Sequence, residues 1–478
     1  MFLELDGQGP RHGQLTRALK SAILGGRVLA GSRLPATREL AVELGLSRTT
    51  VLAAYEQLHA EGFIDSRTGS GSFVAHLRAP SDAVLPTPPS EVPAPSAYTA
   101  RMREGIDGLL GRRHRGLRYN LQYADPLIQP ALCSQWSREL TRAAAYTETG
   151  YPGAHGLAAL REVLCDYLAR RRGVVATPDD VIIVNGSQQA YALCARVLVD
   201  PGATVVVEDP HYFAAYQIMR THGANVLHVP TDENGLICEE LPDCSPALIL
   251  STPSHQFPGA SMLSSPRRLA LLRYAYEHHS WIVEDDYDGE FRYDVQPLPA
   301  LRALDHTDRV IYVGTFSKVL FPSLRMGYMV VPKALREDFI AAKWLNDFGS
   351  PGIEQAALAN FIADGGFERY LRQAAKSLKE RRDALIEGLR LYAGDRIEVF
   401  GAPAGMHVVG WLRDLDHART EALVELAHNR GLGLHTIGPF YMKPPEREGF
   451  ILGFAGLPPA EILEATRILG ECLDEIGT

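Results

Sequence analysis

Residues 310–331 read VIYVGTFSKVLFPSLRMGYMVV. Two apolar runs, VIYV (310–313) and MGYMVV (326–331), enclose a polar turn carrying Thr315, Ser317, Lys318 and Arg325. The runs are β-branched and aromatic and are bounded by Gly and Pro, so the pattern predicts two strands joined by a functional turn. A lysine at a strand end, near hydroxyls and a second cation, has its pKa lowered and becomes a competent amine nucleophile. Arg325, seven residues on, suits a bidentate phosphate clamp. Taken alone, Lys318 reads more readily as one surface lysine among many.

Outward from this turn the same rhythm repeats. VIIV (181–184), TVVV (204–207), ALIL (247–250) and WIV (281–283) alternate with longer Leu/Ala-rich segments. Short buried runs alternating with helical ones predict an α/β domain on a largely parallel sheet. Chemistry sits at the run ends. WIVEDDYD places carboxylates at the end of another strand, and an Asp against the pyridine nitrogen of a pyridoxal phosphate would keep it protonated, so that the ring stays an electron sink. Asn185-Gly186-Ser187-Gln188 opens a helix, and free amides at such a start suit a phosphate. Glu208-Asp209-Pro210-His211-Tyr212 ends another run with an aromatic able to stack on a ring. Strand ends of open α/β sheets are where ligands bind, so the joint placement outweighs any single motif.

The chain has 478 residues, 46% of them hydrophobic and 22% charged, which fits a folded protein of two or three domains. No apolar stretch is long enough for a membrane span, and MFLELDGQGP is no secretory leader. Six cysteines without CxxC spacing argue against a disulfide framework or a zinc cluster and for a reducing cytoplasm; no metal ligand set is expected. Net charge is −9, yet residues 1–118 hold 15 basic against 11 acidic residues. That bias points weakly to a polyanion partner for the first part.

Residues 79–96 contain six prolines and read as a semi-rigid linker. Residues 101–118, with Arg112, Arg113, Arg115 and Arg118 around His114, read as a solvated connecting helix, the alternative being extra phosphate contacts. The expected organisation is therefore a module at 1–78, a connector at 79–118 and a large domain at 119–478. The last of these ends in a small α+β lobe from about 373.

Within the first module, Leu15, Leu19 and Ile23 mark the apolar face of one helix, stopped at Gly25-Gly26. A second helix follows Pro35 with Thr37 as N-cap, and Gly45 stops it. Ser47 caps a third that carries Val51, Tyr55 and Leu58. FIDSRTGSGSFV reads as a hairpin wing. A helix-turn-helix places the start of its last helix, here Ser47-Arg48-Thr49-Thr50, in the major groove. The pattern alone leaves a protein-binding helical bundle equally open.

RLPATRELAVELGLSRTTVLAAYEQLHAEGFIDSRTGSG resembles the DNA-binding domain of GntR-type bacterial regulators over roughly residues 10–75. The resemblance implies a double-stranded operator as partner. Arg38, Arg48 and Thr49 correspond to DNA contacts, as do Ser47 and Thr50 at the same helix start, with Thr68 and Gly69 at the wing tip in the minor groove. Residues from about 120 to 470 resemble a fold-type-I aminotransferase. TPSHQFP, EDDYDGEFRY and GTFSKVLFPSLRMGY are similar to the MocR branch of regulators, which joins the two. That resemblance implies a pyridoxal 5'-phosphate cofactor with Lys318 as its Schiff-base lysine. Asp285 would face the pyridine nitrogen and Tyr287 the ring hydroxyl. Arg325, Thr315, Ser187, Gln188 and Gly186 would surround the phosphate, and Tyr212 would stack on the ring. Tyr151 would reach the phosphate of a partner subunit in a head-to-tail homodimer. The effector would be a small amine, such as taurine or GABA, or the cofactor itself.

One departure bears on activity. Aminotransferases of this fold grip the substrate carboxylate with an arginine in a phrase like R-L-S-F, and here the phrase is Ile451-Leu452-Gly453-Phe454. Losing such a charge-assisted bond removes on the order of 1.5–3 kcal/mol of binding. The expectation is a regulator rather than a working aminotransferase; a cofactor-free scaffold is disfavoured because Lys318, Asp285 and Arg325 are all present.

Overall fold

The computed structural model describes residues 3–67, 71–76, 94–106, 116–123, 125–127, 129–146, 150–293 and 298–477. The chain divides into two compact units, Met1–Ala94 and Pro95–Thr478.

The first unit packs helices Arg11–Leu24, Thr37–Leu44 and Arg48–Ala60 around Leu15, Leu19, Leu40, Val51, Tyr55 and Leu58, all buried. Gly45 ends the second helix at φ 63°, the left-handed stop that glycine takes at least cost. Thr37 is not the cap: it is the first helical residue, and the Glu39 carboxylate instead accepts the Ala36 amide at 3.2 Å. Ser47 does cap, its Oγ accepting the Thr50 amide at 3.1 Å. Strands β1 (Ile64–Arg67) and β2 (Gly71–Val74) pair antiparallel, Ile64 opposite Val74, as a hairpin. Its tip, with Thr68 and Gly69, lies outside the described residues.

The second unit begins with helix Ala97–Ile106, and here the expectation of a solvated connector needs correcting. Arg101 Nε donates to the Thr221 carbonyl at 2.8 Å, and Arg220 bonds Glu104 at 2.9 Å, which docks this helix on helix Phe213–His222. Arg112, Arg113, His114 and Arg115 lie outside the described residues. The body is built on eight strands. After β3 (Tyr119–Asn120) come β4 (Val181–Val184), β5 (Thr204–Asp209), β6 (Asn225–Asp232), β7 (Gly235–Leu236) and β8 (Leu248–Ser251). These are followed by β9 (Trp281–Asp286), β10 (Val310–Thr315) and β11 (Gly327–Val330). The sheet order is β4-β11-β10-β9-β8-β5-β6-β7. All neighbours run parallel except around β11, which is antiparallel to both β10 and β4, and at the edge strand β7. Val181 to Val184, Leu248 to Ile249 and Val310 to Val313 are essentially inaccessible, as a sheet covered on both faces requires.

The small lobe starts earlier than the sequence pattern suggests, with the 27-residue helix Gly366–Tyr392. It adds β12 (Ile397–Phe400), β13 (His407–Leu412), β14 (Leu432–Gly433) and β15 (Gly449–Gly453). Strands β12, β13 and β15 form an antiparallel sheet, while β14 pairs with β3 and so ties the lobe to the start of the unit.

Candidate functional site

A cavity of about 320 Å³ opens at the strand ends of the large sheet. Lys318, Asp285, Tyr287, Thr315, Ser187, Gln188, Tyr212 and Arg325 all line it. Residues far apart in sequence thus meet because each ends or closely follows a strand of one sheet, or, for Arg325, stands just before β11.

Lys318 sits in the turn after β10, on the short helix Phe316–Val319. Thr315 caps that helix, its Oγ1 accepting the Ser317 amide at 3.2 Å. Burial pushes the Lys318 amine below the usual lysine value; Asp288, Asp125 and Asp285 oppose the shift and Arg325 adds to it. Asp285, near the end of β9, has one oxygen accepting the Tyr191 hydroxyl at 2.5 Å. Its other oxygen, Oδ1, is buried with no hydrogen-bond partner among the described residues. Burial pushes this carboxyl up to about 7, helped by Asp286 and Asp288 and opposed by the Tyr191 bond.

At the other end of the cavity, Gly186 adopts φ 83° and ψ 168°, a conformation essentially reserved for glycine. A Cβ there would stand 3.0 Å from Arg325 Nη2. Arg325 also donates to the Asn185 carbonyl at 3.2 Å, so its guanidinium lies beside the opening of helix Ser187–Leu198. The turn is braced from behind. Asn185 Nδ2 and Gln189 Nε2 both donate to Asp347 Oδ2, at 2.9 and 2.7 Å, and the buried Lys343 ammonium holds the same carboxylate at 2.7 Å. Nothing in the local sequence signals this brace, because Asp347 is 162 residues from Asn185.

Tyr287 is engaged within the chain: its hydroxyl lies 2.9 Å from His255 Nδ1, which also meets Asp288 Oδ2 at 2.8 Å. Sequence reasoning left His255 and Gln256 unassigned. The structure makes His255 a fully buried neighbour of the cavity, and Gln256 a loop staple whose amide donates to the Pro210 and Phe257 carbonyls. His407, on β13, also lines the cavity, and burial pushes it down to about 3, which keeps it neutral near pH 7. Tyr212 meets Phe257 edge-on, with ring centres 5.6 Å apart. Tyr151 is placed elsewhere: it is 91% exposed, beside Phe348, and does not line this cavity. Behind β9, Arg172 and Asp286 form a fully buried ion pair at 2.6 Å, with the Tyr312 hydroxyl on the same carboxylate oxygen.

On β15, Ile451 and Leu452 are inaccessible. Ile451 packs in a cluster with Val409 and Ile437, against which Tyr123 and Phe440 lie.

In the first unit, Arg38, Ser47, Arg48 and Thr49 are exposed and Thr50 is half-buried. The Ser47 hydroxyl lies 2.8 Å from both the Thr49 and Thr50 hydroxyls, so it organises the helix start that presents Arg48.

An aminotransferase-type body with a cavity at its strand ends thus shares one chain with a winged helix-turn-helix head. Residues 122–468 match the family Aminotransferase class I and II, and residues 12–74 match the bacterial regulatory proteins of the gntR family. The probable rhizopine catabolism regulatory protein MocR of Rhizobium meliloti is 36% identical, covering 98% of this chain and 95% of its own. The transcriptional regulator TauR of Rhodobacter capsulatus is 31% identical, over 99% and 98%. Among solved structures, the α-aminoadipate aminotransferase LysN of Thermus thermophilus, complexed with N-(5'-phosphopyridoxyl)-L-leucine, superposes with a TM-score of 0.70 at 27% identity, over 80% of this chain and 97% of that one. The chain belongs to the MocR-type helix-turn-helix transcriptional regulators, in which a GntR-type DNA-binding head is fused to an aminotransferase-class body.

Proposed function

We propose that this regulator binds pyridoxal 5'-phosphate in the cavity of the large unit and changes its action on operator DNA when a small amine, or the cofactor itself, occupies that site. The observation that carries the reading is the pairing of Asp285 Oδ1, buried without a hydrogen-bond partner among the described residues, with the glycine-only cradle at Gly186. The first is an acceptor waiting for a protonated ring nitrogen; the second lets a phosphate approach the helix start.

Bound there, the cofactor supplies an aldehyde reactive toward amines and an electron-withdrawing ring. The chain's own residues do the rest. Lys318, its amine made less basic by burial, holds the aldehyde end. Asp285 keeps the ring nitrogen protonated, Tyr212 stacks on the ring, and Tyr287 with His255 meets the ring hydroxyl. Arg325, Thr315, Ser187, Gln188 and the Gly186 amide hold the phosphate. Tyr151, exposed on its own subunit, serves the partner's site in a homodimer. In the head, Arg48, Thr49 and Arg38 contact operator DNA, Ser47 and Thr50 fix the helix that carries them, and Thr68 and Gly69 enter the minor groove. The protein acts in the cytoplasm.

A working aminotransferase is the second reading, and buried, apolar Ile451 speaks against it, since no charge there meets a substrate carboxylate. The test is Lys318→Ala. Incubated with pyridoxal phosphate and desalted, the wild type should keep a visible absorbance band that the variant lacks. A variant that keeps the band removes Lys318 from this role. Gel shifts on the upstream DNA, repeated at rising salt, check the head: binding should weaken steeply as phosphate contacts are screened.

A further inference from the structure

Of the run Glu208-Asp209-Pro210-His211-Tyr212, the proposed function uses only Tyr212. Folding gives Asp209 and His211 a third companion that no local motif supplies. Strand β6 runs parallel to β5, with His228 opposite Val207 and Pro230 opposite Asp209. Alternate residues of a strand share a face, as do register partners, so His228 projects on the side of Val207 and Asp209. His211 follows two residues after β5 ends, its amide donating to the Phe440 carbonyl at 3.0 Å. A carboxylate oxygen of Asp209 and one ring nitrogen each from His211 and His228 consequently lie within 4.8 Å of one another.

The hydrogen bonding of the two rings singles them out. His211 is only 5% exposed, and its Nδ1 is buried with no hydrogen-bond partner among the described residues. His228 Nδ1 is buried in the same condition. One such nitrogen is uncommon in a folded protein, where buried polar atoms are almost always paired. Two on neighbouring rings, whose centres stand 5.2 Å apart, call for a common partner. Tyr216 closes the group, its ring centre 4.8 Å from that of His211 and 5.2 Å from that of His228. Asp209 adds a negative charge; its Oδ1 accepts the Met442 amide at 3.1 Å, which leaves the second oxygen to a cation.

Two imidazole nitrogens and one carboxylate oxygen suit a transition ion such as zinc, and suit magnesium or calcium poorly, since those take oxygen ligands. Donors at about 2.0–2.2 Å from one zinc ion stand about 3.4 Å apart in tetrahedral geometry. From a separation of 4.8 Å the three need close by about 1.4 Å at most, which side-chain rotation of half-buried Asp209 and His228 supplies.

We propose that Asp209, His211 and His228 bind one divalent transition-metal ion of the zinc type, at a site outside the cofactor cavity. This site is independent of the cofactor reading. An ion there joins the ends of β5 and β6 immediately before Tyr212, which lines the cavity. Through Asp209 and His211 it also secures the small-lobe segment that carries Phe440 and Met442.

The experiment uses the untagged full-length protein, stripped with a chelator, desalted and titrated with zinc by calorimetry, with and without pyridoxal phosphate. Metal content after dialysis is read separately by atomic emission. The wild type should hold one ion per chain in both conditions. Cobalt in its place should give the cofactor-free protein a visible ligand-field band that added zinc abolishes. Asp209→Asn keeps the acceptor for the Met442 amide but loses the charge, and His228→Ala removes one nitrogen. Each variant, shown folded by circular dichroism, should bind zinc about 100-fold or more weakly, at or beyond the loss that removing an outer-shell partner causes. A wild type that holds no zinc after dialysis overturns the proposal. So does zinc that either folded variant holds as tightly as the wild type.

Discussion

Asp285→Asn removes one buried charge while leaving the side chain's shape and its acceptor for the Tyr191 hydroxyl. In the cofactor-free protein the folded carboxyl titrates at about 7 and the unfolded one near 3.8, because burial penalises the ionised form. Below 3.8 both states are protonated and the residue costs nothing. Between 3.8 and 7 the folded state retains a proton that the unfolded state releases, so this residue's contribution to stability falls as pH rises through that window. Above 7 the full cost applies, roughly 4 kcal/mol for a carboxyl moved from 3.8 to about 7. The asparagine variant is free of it. Cofactor-free Asp285→Asn should therefore be more stable than wild type by up to about 4 kcal/mol at pH 8, and by about 1.5 kcal/mol at pH 5. With an unfolding entropy of about 2.1 cal/mol/K per residue, the pH 8 gain corresponds to a melting shift of about 5 °C for a unit of this size. Adding pyridoxal phosphate should favour the wild type, which recovers the cost by pairing with the protonated ring nitrogen. Thermal melts of both proteins, with and without cofactor at pH 5 and pH 8, measure all four quantities. A cofactor-free variant no more stable than wild type at pH 8, or a cofactor-induced rise equal in the two proteins, would refute the assignment of Asp285.

Gly186→Ala should cost about 1–3 kcal/mol from backbone conformation alone. It should lower pyridoxal-phosphate affinity further, because the new methyl displaces Arg325; equilibrium dialysis of the cofactor checks this. Arg172→Ala leaves Asp286 buried and unpaired and should destabilise the large unit by about 3–5 kcal/mol, read as a drop in melting temperature without change in the head's DNA affinity. Arg48→Ala should weaken operator binding by about 1–3 kcal/mol in fluorescence anisotropy. Ser47→Ala should lower the head's stability by about 1 kcal/mol through loss of the cap, visible in urea melts of the full chain followed by a probe in the head.

The sequence made the cofactor turn legible because strand ends are local events: a run such as VIYV, followed at once by GTFSK, fixes both the strand and where its lysine emerges. The same holds for Asp285 after WIV and for Gly186 after VIIV. Strand β6 escaped this reading because its residues, NVLHVPTD, include a proline and a histidine and are mostly half-buried near the sheet edge. Helix Ala97–Ile106 looked solvated because its arginines look like surface charge, whereas Arg101 spends its guanidinium on a carbonyl of another helix. The His255–Asp288 contact and the Asp347 brace were hidden for a different reason: each joins side chains brought together only by tertiary folding. Thr37 satisfied every local rule for a cap and lost to Glu39, which reaches back one residue further.

The brace behind Gly186 has a thermodynamic corollary. Because Asn185, Gln189, Asp347 and Lys343 hold the glycine turn by hydrogen bonds within the chain, the entropy of ordering that turn is spent during folding, and an anion captured there would require little rearrangement.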